Sequence, residues 1–392
     1  MKGNYRKLGD IVELIDERNK SLESSEVLGI SIDKEFMPSV ANTIGTDLSN
    51  YKLLRMNTFA CNPMHVGRDE RLPVSLYKKD IPAIVSPAYF MFRVKDENKV
   101  LPDFLMLIFK RDDFDRNCWF RTDGSVRGGI TWNDICEIEL PVPDLKEQEK
   151  IVNTYNAITK RIQLKWKINE NLEKTAILKF ENMLDNESLE KKSIKLESIC
   201  EVKGGKRLPL DSDLIENRNS HPYIRIRDIK ENCFVMLNNE FLYVDDETQK
   251  EIARYITETN DLLISIVGTI GLTAIVHKSL NKANLTENCV KLTKMKKLIP
   301  EYVLIYMKTK AGQSAISQAT VGAVQAKLPL KNIQNLDIPF FEDSIMKEYN
   351  DFLRKTFICI SNNLEEIIQL QFFRQLVISR ISGMQTNGFV RI

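Results

Sequence analysis

Residues 144–187 read DLKEQEKIVNTYNAITKRIQLKWKINENLEKTAILKFENMLDNE, a stretch that contains neither proline nor glycine. It follows Pro141-Val142-Pro143, and proline is favourable just before a helix but disruptive inside one. About forty helical residues, at about 1.5 Å each, make a rod of roughly 60 Å, whereas an average helix has about 11–12 residues. The stretch therefore predicts a long central helix that separates two domains; the alternative is a long helix within one ordinary core. Its apolar residues recur at helical spacing: Ile151, Tyr155, Ile158, Ile162, Trp166, Leu172, Ala176, Phe180 and Leu184.

The sequences on the two sides of this helix resemble each other. Near the two beginnings, residues 7–13 resemble residues 195–201 at an offset of 188, so the second copy contains about ten extra residues. Three blocks recur at a different offset, 198: residues 101–110 with 299–308, 124–127 with 322–325, and 134–141 with 332–339. Agreement of several separate blocks at one offset indicates an internal duplication.

Each copy has the same predicted plan. A short helix and several strand-like segments are followed by a helix that begins at proline, a glycine-containing loop and a long closing helix. The second long helix is predicted from about Glu342 to Ser382, with Gly383 in the C-cap position. We expect the two long helices to pair, with a loose or polar contact near residues 165–171; the alternative is that each packs only on its own domain.

The predicted fold class is α+β, with two similar mixed α/β domains separated by two long antiparallel helices and related by an internal pseudo-two-fold repeat. The predicted segments are a first domain at residues 1–143, a central spacer helix at 144–188, a second domain at 189–341 and a C-terminal pairing helix at 342–392.

Composition limits the class of protein. The chain has 392 residues, enough for two or three domains, and has no apolar run of the length that a transmembrane helix needs. The N-terminal residues lack the apolar segment of a secretory signal. Seven cysteines are scattered singly, which is typical of a reducing compartment, so we expect a cytoplasmic protein without a disulfide framework.

The net charge of +2 is modest for a nucleic-acid binder, so local patches or a partner would have to neutralise much of the phosphate charge.

Catalytic and metal-binding patterns are absent from the sequence. Its three histidines are not spaced as metal-ligand pairs, and no two cysteines form a Cys-x₂-Cys motif. Residues 204–207 and 268–271 are glycine-rich but lack the spacing of a Walker loop, and Asn62-Pro63-Met64-His65 is interpreted as a turn. A duplicated plan without such motifs favours a binding protein over an enzyme.

Several pieces of the sequence together resemble the specificity subunits of type I restriction-modification systems. Residues 134–152 (DICEIELPVPDLKEQEKIV) are similar to the segment that enters the family's central helix. Residues 223–229 (YIRIRDI) resemble a strand and turn early in its recognition domains, and residues 261–265 with 268–271 resemble its next recurring piece. Residues 322–328 resemble the loop before its final strand. The resemblance extends over essentially the whole chain.

The resemblance implies two target-recognition domains, each reading one half of a bipartite, asymmetric sequence in double-stranded DNA, with the helices setting the distance between the halves. It implies a non-catalytic subunit that assembles with two adenine methyltransferase subunits and, in the full complex, with restriction-translocase subunits. S-adenosylmethionine, ATP and magnesium would then belong to those partners, and this chain would bind no cofactor or metal.

The two copies also depart from each other. Residues 340–342 read Phe-Phe-Glu where 142–144 read Val-Pro-Asp, and Met346 stands at the position of Gln148. The first copy lacks the Tyr-Ile-Arg-Ile piece and carries residues 51–66 in place of the Asp-Leu-Leu-Ile-Ser region. We therefore expect the two domains to read different sequences.

Base and phosphate contacts require mainly basic and amide side chains on loops. Tyr89, Phe90, Trp119 and Trp132 are expected in the core instead of against bases. The candidate DNA contacts of the first domain are Arg55, His65, Arg68, Arg71, Arg121 and Arg127. Those of the second domain are Lys206, Arg207, Arg225, Arg227, Thr269, Gln325 and Lys327.

Two other functions remain open from the sequence. One is a two-headed protein–protein adaptor without DNA binding, which salt-sensitive, sequence-selective DNA binding would exclude. The other is a cryptic DNA-modifying enzyme, which activity of the purified chain with S-adenosylmethionine or magnesium would support.

Overall fold

The computed structural model describes residues 4–40, 45–64, 66–122, 128–229, 232–322 and 325–381. Among these, the chain divides into two compact units. One unit comprises the described residues up to Arg161 together with those from Leu370 onward, and the other comprises Ile162–Gln369. No helix in the described ranges is both long and apolar enough to cross a membrane.

The first repeat consists of short strands and helices, in this order: β1 (Asn4–Lys7), α1 (Leu8–Ile11), β2 (Val12–Ile15), β3 (Val27–Ile30), β4 (Phe36–Pro38), β5 (Lys52–Leu54), β6 (Phe59–Cys61), α2 (Val66–Asp69), β7 (Val74–Leu76), β8 (Ala83–Val85), β9 (Phe90–Val94), α3 (Pro102–Phe109), α4 (Asp112–Phe120), α5 (Trp132–Cys136) and β10 (Glu139–Val142). The long helix α6 (Leu145–Asp185) follows, four residues shorter than the predicted 144–188.

Two four-stranded sheets, in the orders β2-β9-β6-β7 and β4-β3-β8-β5, form the body of the first repeat. The first sheet is antiparallel throughout, and the second contains the parallel pair β3–β8. Helix α3 begins at Pro102 and is buried from Phe104 through Phe109, because its sequence is apolar on every face. Stacked Phe59 and Phe92, with ring centroids 5.1 Å apart, lie at the centre of this core.

The second repeat has the following elements: β11 (Lys192–Lys195), β12 (Glu201–Gly204), β13 (Pro222–Ile224), β14 (Phe234–Val235), β15 (Leu242–Tyr243), α7 (Asp246–Ile252), β16 (Leu262–Ser265), β17 (Thr273–Val276), β18 (Asn284–Leu285), β19 (Cys289–Thr293), α8 (Pro300–Lys308), α9 (Lys310–Ala319), α10 (Leu330–Gln334) and β20 (Asp337–Phe340). Helix α11 (Asp343–Arg380) ends the described chain. The predicted Gly383 cap lies outside the described residues.

The strand pairings repeat between the two copies. The ribbon β1–β10 corresponds to β11–β20, and the antiparallel row β2-β9-β6-β7 corresponds to β12-β19-β16-β17. The helices also correspond: α3 and α8 each begin at proline, and α4, α5 and α6 correspond to α9, α10 and α11. The predicted fold class is therefore confirmed.

In the unit formed by residues 162–369, α6 and α11 lie antiparallel and contact each other directly. Phe180 and Tyr349 pack edge to face, and the Tyr349 hydroxyl donates to the Ala176 carbonyl at 2.6 Å. The predicted polar contact is present, because buried Asn363 donates its amide to the Oδ1 of buried Asn169 at 2.8 Å. Lys165 donates to the Asn363 Oδ1 at 2.8 Å as well. In the other unit, the Arg374 guanidinium lies 5.9 Å from the Tyr155 ring.

Candidate nucleic-acid interface

In the first repeat, two loops meet beyond the end of β6. The segment that follows β6 contains Pro63 and, in α2, Gly67, and the loop that precedes α5 contains Gly128 and Ile130. The Gly67 amide donates to the Gly128 carbonyl at 3.0 Å, and the Ile130 amide donates to the Pro63 carbonyl at 3.1 Å. These bonds hold two segments, about sixty residues apart in sequence, side by side. We call the described residues of 62–71 and 128–130 the first two-loop edge.

The second repeat has the same junction. The Leu328 amide donates to the Ile266 carbonyl at 3.0 Å, and Leu328 stands 198 residues after Ile130. Lys327 also pairs with Val321 through two backbone bonds of 2.9 Å. Gly322 has a φ of +95°, and a Cβ there would lie 2.6 Å from the Gln325 carbonyl oxygen, so position 322 requires glycine. We call the described residues of 266–272 and 321–328 the second two-loop edge.

Three of the candidate residues of the first repeat are near its two-loop edge. Arg68 lies in α2 and pairs with Asp69 at 2.7 Å, and Arg71 lies 3.6 Å from an Asp33 carboxylate oxygen. Arg121 is the exposed C-cap of α4, the helix that α2 lies against. His65 and Arg127 lie outside the described residues.

Arg55 is placed elsewhere, in the connection between β5 and β6. Its guanidinium lies 2.9 Å from Glu23 and 2.7 Å from Glu17. The pKa of Arg55 is raised above its ordinary value by hydrogen bonds to these carboxylates, and the bond to Glu23 has the largest effect. A phosphate or base would have to compete with two carboxylates for this side chain.

The second two-loop edge contains Thr269, Gln325 and Lys327, all exposed. Arg227 is exposed on the 3₁₀ turn Ile226–Asp228. That turn lies close to this edge, because the Ile226 Cδ1 would be 3.9 Å from a Cβ at Gly268.

The remaining candidates of the second repeat are outside the segments that define this edge. Lys206 and Arg207 follow β12, where a Cβ at the preceding Gly205 would be 2.0 Å from the Thr286 carbonyl oxygen. Arg207 pairs with Glu287 at 2.9 Å. Arg225 makes two side-chain bonds of 2.8 Å to Asp228, and its side chain is only 14% exposed. The Arg225 side chain therefore closes the 3₁₀ turn.

The aromatic residues expected in the core divide into two groups. Tyr89, Phe90 and Trp132 are partly buried and pack against the hydrophobic cores, as predicted. Trp119 is 44% exposed, so its assignment to the core was wrong. The aromatic residue type was misleading here, because Phe114 and Cys118 already supply the buried face of α4. Phe120, which the sequence did not single out, is 87% exposed.

The described residues contain no group of three or more His, Cys, Asp or Glu side chains arranged to hold a metal ion. The cofactor expectation remains a prediction. Two similar mixed α/β repeats, each with a two-loop edge and followed by a long paired helix, define a tandem-repeat protein.

Comparison with known proteins agrees with this architecture. The family model described as "Type I restriction modification DNA specificity domain" matches twice, at residues 3–174 and 189–371. The chain therefore belongs to the family of type I restriction-modification DNA specificity proteins. No curated protein matches the sequence.

One of two similar solved structures supports the fold. The type I restriction-modification S subunit from M. genitalium has 15% sequence identity and a TM-score of 0.57, covering 97% of this chain and 96% of its own. The HsdS subunit from Thermoanaerobacter tengcongensis also has 15% identity, with a TM-score of 0.36 and 97% of both chains covered. The first similarity supports the fold, and the family match supports the class.

Proposed function

We propose that this chain is the DNA sequence-specificity subunit of a type I restriction-modification complex, in which each repeat reads one half of a bipartite, asymmetric target. The observation that carries the proposal is the pair of two-loop edges. They occupy equivalent places in the two repeats but carry different side chains, Arg68 and Arg71 in one and Thr269, Gln325 and Lys327 in the other. Equivalent positions with different hydrogen-bonding groups are what recognition of two unlike half-sites requires.

The proposed segments are the two recognition domains at 1–143 and 189–341, with α6 and α11 as the element that sets the distance between half-sites. The net charge of +2 leaves much phosphate neutralisation to partners. We place S-adenosylmethionine in two adenine methyltransferase subunits and ATP with magnesium in the restriction subunits, and we assign this chain no chemistry of its own.

The test is selection from a randomised duplex library with the chain bound to the methyltransferase of its own system. We expect two short half-sites at one fixed spacing. Gln325→Ala with Lys327→Ala should relax only one half-site, and Arg121→Ala should affect only the other. Lys250→Ala, on an exposed face of α7, is the matched control and should change neither half-site.

The other interpretations predict different results. A protein adaptor would bind the methyltransferase without enriching any sequence. A cryptic enzyme would modify or cleave DNA as the purified chain supplied with S-adenosylmethionine or magnesium.

A further inference from the structure

The last turn of α4 carries two adjacent exposed aromatic side chains. Phe120 is 87% exposed and Trp119 is 44% exposed. Arg116 lies one helical turn before Phe120 on the same face, and Arg121 follows directly; both are exposed. Within the described residues, neither arginine forms an ion pair. We call these four residues the α4 tip.

The α4 tip is held rigidly from behind. Phe114, Asp115 and Cys118 are buried on the opposite side of the helix. The Asp115 carboxylate accepts from the Lys34 ammonium at 2.7 Å and from the Leu72 amide at 3.0 Å. These bonds fix the middle of α4 on the body of the first repeat, so the aromatic side chains are presented without an ordering cost for the helix.

The end of the helix is also closed. The Thr122 amide and hydroxyl both donate to the Trp119 carbonyl, at 3.0 and 2.8 Å. This cap satisfies a carbonyl that the end of a helix leaves free. The backbone that bears Trp119 and Phe120 is therefore preorganised instead of frayed.

The location of the tip connects it to the first two-loop edge. Six residues after Thr122 the chain reaches Gly128, whose carbonyl accepts from Gly67 in the neighbouring loop. An aromatic pair flanked by two arginines without carboxylate partners complements a polyanion with apolar base faces. Asp112 lies one helical turn before Arg116, but it forms no ion pair with it among the described residues and is two turns from Phe120.

We infer that the α4 tip contacts DNA in the half-site read by the first repeat, with Trp119 and Phe120 packing against base faces and partly unstacking one base step while Arg116 and Arg121 contact phosphates. Apolar side chains inserted between base steps are a known means of deforming DNA, and stacking on aromatic side chains is tolerant of base identity. The inference rests on the proposed DNA-specificity function.

The second repeat offers an internal control. The counterpart of α4 is α9, and an offset of 198 places Ser317 and Gln318 at the positions of Trp119 and Phe120. Both are exposed, so the helix ends are equivalent and differ in chemistry. The unstacking should therefore occur in one half-site only.

The experiment uses the complex with the methyltransferase and duplexes of the selected target. 2-Aminopurine is placed at one position at a time, the methylated adenine excepted, and its fluorescence reports unstacking. For the wild type we expect an increase at one step of the first half-site. Phe120→Ala and Trp119→Ala should each abolish it and weaken binding by about 5- to 150-fold, since each stacked base contributes roughly 1–3 kcal/mol. Phe120→Tyr should retain both properties.

Two control variants accompany these. Gln318→Ala should leave the fluorescence signal in the first half-site unchanged. Leu210→Ala removes a fully exposed apolar side chain outside the α4 tip and should also leave that signal unchanged. Wild-type affinity and fluorescence in Phe120→Ala would overturn the inference. Loss of methyltransferase binding by that variant, with its DNA affinity unchanged, would assign the tip to a protein interface instead. Failure of the proposed function itself would be seen separately, as no half-site enriched by the wild type.

Discussion

Replacing Gln148 with methionine should destabilise the first repeat, although the two side chains are similar in size. Gln148 is completely buried in the first turn of α6. Its Nε2 donates to the carbonyls of Lys99 and Pro143, at 2.9 and 2.8 Å, and its Oε1 accepts from the Leu101 amide at 2.9 Å. One side chain thus joins the start of the long helix to the segment that enters α3.

The second repeat has methionine at the equivalent position. Met346 lines an open cavity of about 580 Å³, together with Leu298, Phe341 and Asn350. The Asn350 Oδ1 is buried and has no hydrogen-bond partner among the described residues. The repeats therefore use two different solutions at one position, a polar one and an apolar one.

The magnitude follows from the three hydrogen bonds. An unpaired buried polar group costs about 1–3 kcal/mol. Lys99 is exposed and Pro143 is partly exposed, so their carbonyls can regain water more easily than the Leu101 amide, which faces the Gln148 side chain. Gln148→Met should therefore lower the free energy of unfolding by about 2–4 kcal/mol.

The assay is urea unfolding followed by tryptophan fluorescence, with Trp119 and Trp132 as reporters in the first repeat. Only the transition of the first repeat should move to lower urea. Met346→Leu is the control, and a volume-conserving apolar change should cost less than about 1.5 kcal/mol. A loss below 1 kcal/mol for Gln148→Met would refute the reasoning that these three bonds hold the junction together.

Deleting four residues within 165–170 should shorten the spacer of the selected target by about two base pairs, since four helical residues span about 6 Å and a base pair about 3.4 Å. A changed half-site sequence would contradict the proposal that the helix sets the distance between half-sites. Asn363→Leu should cost about 1–3 kcal/mol in urea unfolding because the Oδ1 of buried Asn169 loses the donor it has in Asn363, and adding Asn169→Leu should recover part of that loss. The pKa of His277 is lowered below its usual 6.5, mainly by burial, although the nearby Glu365 carboxylate acts to raise it. The unfolded state therefore binds the proton more readily than the folded state, and the free energy of unfolding should fall as the pH drops through about 6.5. His277→Gln should flatten this pH dependence, and an equal slope in the variant and the wild type would contradict the argument.

Much of the fold follows from local sequence. A 44-residue stretch without proline or glycine determined α6, and matching blocks at one offset predicted the duplicated plan. Proline at the first turn identified α3 and α8. These signals are local or periodic, and the backbone preferences of proline and glycine act in any tertiary context, which is why the predicted boundaries lie within a few residues of the observed ones.

The candidate contacts were predicted less completely. The structure places Thr269, Gln325 and Lys327 at one edge, but residue type and loop position do not distinguish them from Arg225, whose side chain closes its own turn through Asp228. An arginine on a loop looks the same in sequence whether a carboxylate or solvent faces it. The difference depends on a neighbour that only folding brings close.

The sequence by itself determined the long helices, the duplicated α+β plan and the family. Only the tertiary structure decided which distant loops share an edge, that Trp119 and Phe120 face outward, and that Gln148 joins a helix to the segment before α3. The physical reason is that helix and strand formation depends mainly on residues close in the chain, whereas burial and hydrogen-bond partners depend on backbone groups tens of residues away. Such partners leave no periodic trace in the sequence.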